Sequence, residues 1–247
     1  MATRVFDVHS YLGGSVIPGM AATGKSVVAQ MNERGVETSL LFSSHARAVD
    51  PTAGNRILKA NLEQSPDLYG CLVTHFNRME SSVTVMRELM SNRKFLGMAI
   101  VGSHPNEPID KLLADEIINA YRRYSKPLFL FANNADMVHA ALEIARSYMM
   151  IKVVLLGMGG LDWRTAIAAA LSSTNLVLET SGVLDRSKLT AAVEAIGTHR
   201  ILFGSGAPHV DQSVALGLIE DSHLSDDVRR RILWDNAVKL FGLTPET

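Results

Sequence analysis

Short, almost continuously apolar segments recur along the chain and alternate with longer amphipathic segments. Eight segments have the first pattern: residues 4–9, 38–43, 68–74, 95–101, 127–132, 152–157, 175–180 and 200–205. Runs of this length and composition are typical of strands buried on both faces, as in a parallel sheet. The pattern therefore predicts an α/β protein in which each strand is followed by a helix.

The amphipathic segments carry apolar residues at helical spacing. They predict helices over residues 109–124, 135–148 and 186–196, and Ser225 is a candidate N-cap for another. Alternating strands and helices form either a closed barrel or a doubly wound open sheet. Eight strands in 247 residues favour a single (β/α)8 TIM barrel, which typically needs about 250 residues. We expect one domain over residues 1–247, a Gly-rich loop at residues 12–23, and a short frayed tail at residues 244–247.

Composition and charge exclude several classes of function. The chain has 24 basic and 25 acidic residues, a net charge of −1, and a mean hydropathy of +0.12. A nucleic-acid partner is not expected, because no basic excess or patch is present. No basic leader precedes an apolar run, and no apolar stretch reaches about 18 residues, so no membrane association is expected. The single cysteine, Cys71, fits a reducing compartment, and we expect a cytoplasmic protein.

Six fragments along the chain carry a resemblance to a known family. They are D-V-H-S-Y-L-G at 7–13, K-P-L-F-L-F at 126–131, V-V-L-L-G-M-G-G at 153–160, N-L-V-L-E-T-S-G at 175–182, R-I-L-F-G-S-G-A-P at 200–208 and N-A-V-K-L-F-G-L at 236–243. In order and spacing they resemble the amidohydrolase-related (amidohydrolase 2) branch of the amidohydrolase superfamily. The resemblance implies an amidohydrolase-like barrel and, in typical members, a metal-dependent hydrolase.

The chain departs from this family at the metal ligands. The resemblance implies two histidines in the first motif, a fifth-strand His, a sixth-strand His beside the metal and an eighth-strand Asp. His9 is the only one of these that remains, and the other four positions hold Tyr11, Phe131, Gly157 and Gly206. A catalytic zinc site needs about three protein ligands plus an open position for water. The sequence thus predicts a degenerate metal site and no resident cofactor.

Polar residues at the predicted strand ends supply the candidate site, because barrel active sites lie at the C-terminal ends of the strands. His9, Tyr11 and Glu179 are the candidate catalytic residues. The candidate pocket residues are His45, His75, His104, Asn133, Ser205 and His209, with Ser43, Ser44, Asn77, Asn134 and Ser181 nearby in sequence. The five histidines at strand ends predict either a rearranged site for one divalent metal such as zinc, an acid–base pair, or local hydrogen bonding. Glu179 is either a base or a structural partner, and Tyr11 either donates its phenol to a carbonyl oxygen or fills the space of the missing ligand.

Residues 19–26 also match the P-loop expression G-x-x-x-x-G-K-[ST], through Gly19, Gly24, Lys25 and Ser26. A P-loop follows an apolar strand, whereas Gly19 follows Val16, Ile17 and Pro18, and proline is a poor strand residue. We interpret the match as a coincidence. A phosphate or carboxylate bound at the start of this helix remains the weaker alternative.

Three functional hypotheses follow. The first is a pseudoenzyme or small-molecule binder on a degenerate amidohydrolase scaffold, acting as a homo-oligomer or through a partner subunit. The second is a hydrolase or decarboxylase that acts on a small carboxylated or lactone substrate by metal-independent or rewired chemistry. The resemblance, and not the composition, implies that substrate class. The third is a P-loop nucleotide binder.

Overall fold

The structure is a computed structural model that describes residues 4–14 and 19–243. Its sheet has the order β2-β1-β3-β4-β5-β6-β7-β8-β9. Every neighbouring pair is parallel except β1 and β2. The strands are β1 (Phe6–Gly14), β2 (Ala21–Ala22), β3 (Thr38–Ser43), β4 (Leu68–His75), β5 (Phe95–Val101), β6 (Leu128–Phe131), β7 (Val153–Leu156), β8 (Leu176–Glu179) and β9 (Ile201–Leu202).

Backbone hydrogen bonds join the last strand region to the first. Val8 N donates to Phe203 O at 3.0 Å, Gly206 N donates to His9 O at 2.7 Å, and Tyr11 N donates to the carbonyl of residue 207 at 2.7 Å. A parallel bridge links the same two segments. The sheet is therefore closed, and the open-sheet alternative is excluded in favour of the barrel.

Helices follow the strands around the outside of this barrel. They are α1 (Gly24–Arg34), α2 (Ser44–Ala48), α3 (Pro51–Leu62), α4 (Met79–Leu89), α5 (Lys111–Tyr121), α6 (Ala135–Ser147), α7 (Trp163–Ser172), α8 (Arg186–Ile196), α9 (Gln212–Asp221), α10 (Asp226–Arg230) and α11 (Asn236–Phe241). The helix predicted at 186–196 is confirmed. The one predicted from residue 109 begins later, because the Asp110 side chain accepts hydrogen bonds from Leu112 N and Leu113 N and caps α5 there. Ser225 caps α10, as predicted.

The prediction of a loop over residues 12–23 is wrong in part. Strand β1 continues to Gly14, and Ala21 and Ala22 pair back onto Gly14 and Gly13 in antiparallel register. Gly13 has a φ of +105°, a conformation that favours glycine. A glycine-rich sequence can therefore form the end of this strand. Residues 15–18 and the predicted tail at 244–247 lie outside the described residues.

Alternate residues of each strand face two different cores. Leu41 packs outward, in the layer between strands and helices, whereas Leu40 and Phe42 pack inside the barrel with Phe6 and Phe129. This period-two alternation is what a sheet covered by helices on one face and closed on the other requires. In the part of the chain that the structure describes, no helix combines the length and the apolar character needed to cross a membrane.

Candidate active site

The C-terminal ends of β1, β8 and β9 bring His9, Glu179 and Ser205 to one end of the barrel. All three side chains are buried. Ser181 links His9 to Glu179 through hydrogen bonds. Its Oγ donates to Glu179 Oε2 at 2.7 Å and lies 2.9 Å from His9 Nδ1. His9 Nδ1 also lies 3.4 Å from Glu179 Oε2. The structure thus places together the histidine and carboxylate that the sequence nominated as catalytic.

These bonds fix the tautomer of His9. The Ser181 hydroxyl has a single hydrogen, and Glu179 accepts it. Ser181 Oγ can therefore only accept from His9, so Nδ1 carries the ring proton and Nε2 presents a lone pair. No hydrogen-bond partner for Nε2 exists among the described residues. This leaves an oriented imidazole whose basic nitrogen is unused.

Backbone amides, in addition to the histidine, hold the Glu179 carboxylate in place. Its Oε1 accepts from Ser181 N at 2.6 Å and its Oε2 from Gly157 N at 3.1 Å. A Cβ at position 204 would collide with the Glu179 carboxylate, so glycine at 204 is what lets the carboxylate occupy this position. Gly157 thus donates its backbone N–H to the Glu179 carboxylate, and Gly204 leaves the space that this carboxylate occupies.

Asp7, from the first motif, supports the same end of the barrel. Its Oδ1 accepts from His9 N at 3.1 Å and from Ser205 N at 2.9 Å. Its Oδ2 accepts from Ser10 Oγ, Ser205 Oγ and Gln212 Nε2, at 2.6, 2.6 and 2.9 Å. Asp7 therefore ties β1 to β9 at the point of closure. Ser205, predicted as a pocket residue, has its hydroxyl committed to this network.

Arg47, which the sequence reasoning missed, is the cation that lines both cavities of the site. Its Nη1 donates to Tyr11 Oη at 3.1 Å, and its guanidinium carbon lies 4.1 Å from the centroid of the Phe131 ring. Burial raises the pKa of Tyr11 to about 12, although Arg47 acts in the opposite direction. Tyr11 therefore keeps its proton. The only local signal for Arg47 was its position four residues after the end of β3.

Two cavities open at this end, and Tyr11, Arg47, Phe131 and His209 line both of them. The smaller, of about 390 Å³, also contains His9, Asn133, Gly157, Ser181, Ser205 and Gly206. The larger, of about 570 Å³, also contains Ser44, His75, Asn77, Arg78, His104 and Glu107. Volumes of about 300–1,000 Å³ are typical of sites for small molecules. The four shared residues therefore form a wall between a smaller cavity around His9 and a larger cavity.

The other predicted histidines do not converge on a single point. His209 makes an edge contact with the Tyr11 ring, with centroids 4.9 Å apart, and burial lowers its pKa. His75 accepts from Asn77 N through Nδ1 at 3.2 Å, and His104 is exposed on the wall of the larger cavity. His45 lines neither cavity.

The polar residues near these strand ends have local partners. Asn133 donates to Asn106 Oδ1 at 3.2 Å and lines the smaller cavity. Asn77 donates to Ser103 Oγ at 2.9 Å. Ser43 and Asn134 cap α2 and α6. Of the predicted set, His9, Tyr11 and Glu179 form a connected cluster, His45 lines neither cavity, and the rest line the walls or cap helices.

The donor set does not fit the metal that the resemblance implies. No group of three or more His, Cys, Asp or Glu side chains is placed to hold an ion within residues 4–14 and 19–243, which also argues against the rearranged histidine site. Gly206 and Gly157 have φ values of +74° and +77°, a conformation that disfavours residues with a side chain. Tyr11 already accepts from a cation, and Phe131 has no donor atom.

The P-loop match is used for helix capping. Thr23 and Ser26 form a reciprocal capping box at the start of α1, and Gly24 N donates to Asn61 Oδ1 at 3.0 Å. The Ser26 hydroxyl and the Gly24 amide, which would contact a phosphate in a P-loop, thus have hydrogen-bond partners inside the chain. Residues 16–18, which would form the preceding strand, lie outside the described residues.

Fold and site together define a (β/α)8 barrel with a histidine–carboxylate pair at the C-terminal ends of its strands. The amidohydrolase family model matches residues 31–243. The chain therefore belongs to the amidohydrolase family. The search of curated proteins found no match.

Several solved structures share the fold over nearly the whole chain. A 2,6-dihydroxybenzoate decarboxylase from Rhizobium has a TM-score of 0.81 and 15% identity, covering 98% of this chain and 99% of that chain. A 5-carboxyvanillate decarboxylase from Novosphingobium aromaticivorans, complexed with manganese and 4-hydroxy-3-methoxy-5-nitrobenzoic acid, has a TM-score of 0.79 and 13% identity, covering 98% and 97%. A probable 2-pyrone-4,6-dicarboxylic acid hydrolase from Acinetobacter baumannii, with citric acid bound, has a TM-score of 0.71 and 15% identity, covering 97% and 100%. These three structures of the same fold thus comprise two decarboxylases and one probable hydrolase, and one of the decarboxylases is complexed with manganese.

Proposed function

We propose that this chain is a hydrolase of a small carboxylated lactone or ester that works without a metal, with His9 as the general base. The observation that carries the proposal is the fixed tautomer of His9, whose Nε2 has no partner in the described part of the chain. A neutral imidazole with a free nitrogen can take a proton from water as that water adds to a carbonyl carbon. Hydrolysis is favoured over decarboxylation because His9 Nε2 offers a lone pair that can take up a proton, whereas protonation of a ring carbon needs a stronger acid than Tyr11, whose pKa burial raises to about 12.

Glu179 and Tyr11 complete the chemistry. Once His9 accepts the proton, its ring is a cation, and the Glu179 carboxylate 3.4 Å from Nδ1 stabilises it. Tyr11 lines both cavities and its hydroxyl retains its proton, so Tyr11 is suited to donate to the oxygen on which negative charge develops. His9 then returns its proton to the leaving oxygen.

The substrate class rests on charge and on the relatives in fold. Two cations, Arg47 and Arg78, line the larger cavity, against the single carboxylate of Glu107. The names and bound ligands of the three solved structures above all include carboxylic acids. A small molecule with at least one carboxylate therefore suits the larger cavity best.

A pseudoenzyme or small-molecule binder is the second candidate function. It is favoured by the replacement of ligand positions with Tyr11, Phe131, Gly157 and Gly206. In that case the cavities bind the same class of carboxylate without turnover. A partner subunit or a second copy of the chain belongs to this alternative.

A substrate panel separates the candidates. Purified protein is mixed with 2-pyrone-4,6-dicarboxylate, simple carboxylated lactones, 2,6-dihydroxybenzoate and 5-carboxyvanillate, and turnover is followed by absorbance. We expect ring opening of a lactone, and we expect His9→Gln to lower kcat by about 10²- to 10⁴-fold. His139→Gln, an exposed histidine on α6, is the matched control and should retain full activity.

Each other outcome has a defined meaning. Release of CO2 from the aromatic acids with no lactone hydrolysis would replace the hydrolase by a decarboxylase. Saturable binding without turnover would favour the binder. Full activity in His9→Gln would remove His9 from the mechanism.

A further inference from the structure

Arg47 is a half-buried cation with no acidic partner among the described residues. Several arginines of the chain pair with carboxylates, such as Arg34 with Asp211 at 3.1 Å and Arg56 with Glu88 at 2.6 Å, and Arg78 and Arg200 donate to backbone carbonyls. Arg47 instead contacts a phenol and an aromatic ring, and no salt bridge joins it to an acidic side chain of the described residues. Withdrawing a charge from water without a counter-charge is costly. A site with such a cation on its wall is therefore suited to an anionic ligand.

Tyr11 adds a second donor beside this cation. Its hydroxyl oxygen accepts from Arg47, so its hydrogen points away from that bond, and no residue that the structure describes accepts it. Tyr11 and Arg47 line both cavities. A ligand oxygen at this wall can thus receive hydrogen bonds from a neutral phenol and a guanidinium together.

The two side chains that hold Arg47 occupy former ligand positions. Tyr11 stands where the family resemblance places the second histidine of the first motif, and Phe131 stands where it places the fifth-strand histidine. The replacements thus provide an acceptor and an aromatic face, both of which suit a guanidinium. A divalent cation at the same place would meet the charge of Arg47 and would find the Tyr11 oxygen already engaged.

We infer that Arg47, held by Tyr11 and Phe131, replaces the metal ion as the positive charge that binds the substrate carboxylate. Arg47 and Tyr11 bind the anion, and Phe131 orients the guanidinium. This inference deepens the proposed function, on which it rests for the identity of the site and the substrate class. It is tested by equilibrium binding, which requires no turnover, so the two can fail separately.

The experiment measures binding of benzoate and isophthalate by saturation-transfer NMR titration, once with EDTA and once with MnCl2. We expect the same Kd in both, because no metal participates. Arg47→Met should weaken binding by about tenfold or more, equivalent to about 1.4 kcal/mol. Tyr11→Phe, which removes only the hydroxyl, should weaken binding by a smaller factor. Millimolar guanidinium should partly restore binding to Arg47→Ala, which distinguishes a lost cation from a misfolded variant.

Arg93→Met is the matched control. It removes the same charge from an exposed residue in the turn that precedes β5, at the opposite end of the barrel, and should leave both affinities unchanged. The inference would be overturned by affinity that requires manganese, by Arg47→Met binding as tightly as the parent, or by failure of the parent to bind either acid. Binding that behaves as expected, in a protein that turns over no substrate, would retain the inference and reject the hydrolase.

Discussion

Two cations at the N-terminal end of the barrel differ in their hydrogen-bond partners from Arg47 at the C-terminal end. At the N-terminal end, Lys126 precedes β6 and donates to Met90 O at 3.0 Å and Phe95 O at 2.5 Å. Arg200 precedes β9 and donates to the carbonyls of residues 170 and 173 at 2.6 and 3.2 Å. At the C-terminal end, Arg78 donates to Val49 O, whereas Arg47 donates to a phenol and to no backbone carbonyl of the described residues. Lys126, Arg200 and Arg78 thus satisfy backbone carbonyls, whereas Arg47 is left available to a ligand.

The same contrast holds for the buried polar side chains of the C-terminal end. Asp7 and Glu179 have every oxygen engaged by donors of the chain. His9 Nε2 and the Tyr11 hydrogen have no partner in the part of the chain that is described. Buried polar groups are normally paired. Ser39 Oγ and Gln212 Oε1 also lack a partner among the described residues, but neither side chain lines a cavity, so His9 and Tyr11 mark the proposed reacting point.

The largest expected effect comes from breaking the carboxylate support of His9. In Glu179→Gln, an amide NH2 would face Ser181 or Gly157, which donate to this carboxylate, and the negative charge 3.4 Å from His9 Nδ1 would be lost. We expect turnover to fall by about 10²-fold or more. We also expect the free energy of unfolding to fall by about 3 kcal/mol, because a buried polar network loses its charge partner. Urea denaturation and the lactone assay measure the two quantities.

Glu88→Gln is the matched control for this change. Glu88 pairs with Arg56 at the surface, and exposed pairs contribute about 1 kcal/mol or less. If both variants lose the same stability, the buried network has no special role.

Two substitutions with intermediate expected effects test the contrast between the two ends of the barrel directly. Lys126→Met removes the donor to two carbonyls, and we expect the free energy of unfolding to fall by about 1–3 kcal/mol with benzoate affinity unchanged. Arg47→Met should change stability by less than about 1 kcal/mol and should lose affinity. Urea denaturation gives the change in the free energy of unfolding for each variant, and the NMR titration gives the change in its affinity for benzoate. The contrast fails if Arg47→Met is as destabilising as Lys126→Met.

The fold could be predicted from the sequence because each buried strand is a short apolar run between polar segments. The strands at 38–43 and 95–101 were predicted to the residue, and β8 lies within the predicted run at 175–180. The hairpin of β1 with β2 was missed, since its pairing depends on two residues, Ala21 and Ala22, that carry no strand pattern.

The site could be predicted only where it lies on the strands themselves. His9, Tyr11 and Glu179 project from strands or strand ends whose register the apolar pattern fixes. Arg47 and His45 lie in α2, which begins immediately after β3 because Ser43 caps it. The directions of their side chains depend on that helix and on its tertiary contacts, which no local pattern encodes. For this reason His45 was nominated and Arg47 was missed.

The smallest expected effect concerns protonation at the C-terminal end. Burial lowers the pKa of His75, and the charge of Arg78 acts in the same direction, whereas Glu107 raises it. The folded protein then binds fewer protons than the unfolded chain, whose histidine pKa is about 6.5. This contribution to stability is present above that pKa and is lost as pH falls through it. Urea midpoints between about pH 5 and pH 7.5 should therefore change less steeply for His75→Asn than for the parent, and equal slopes would exclude His75 as the source.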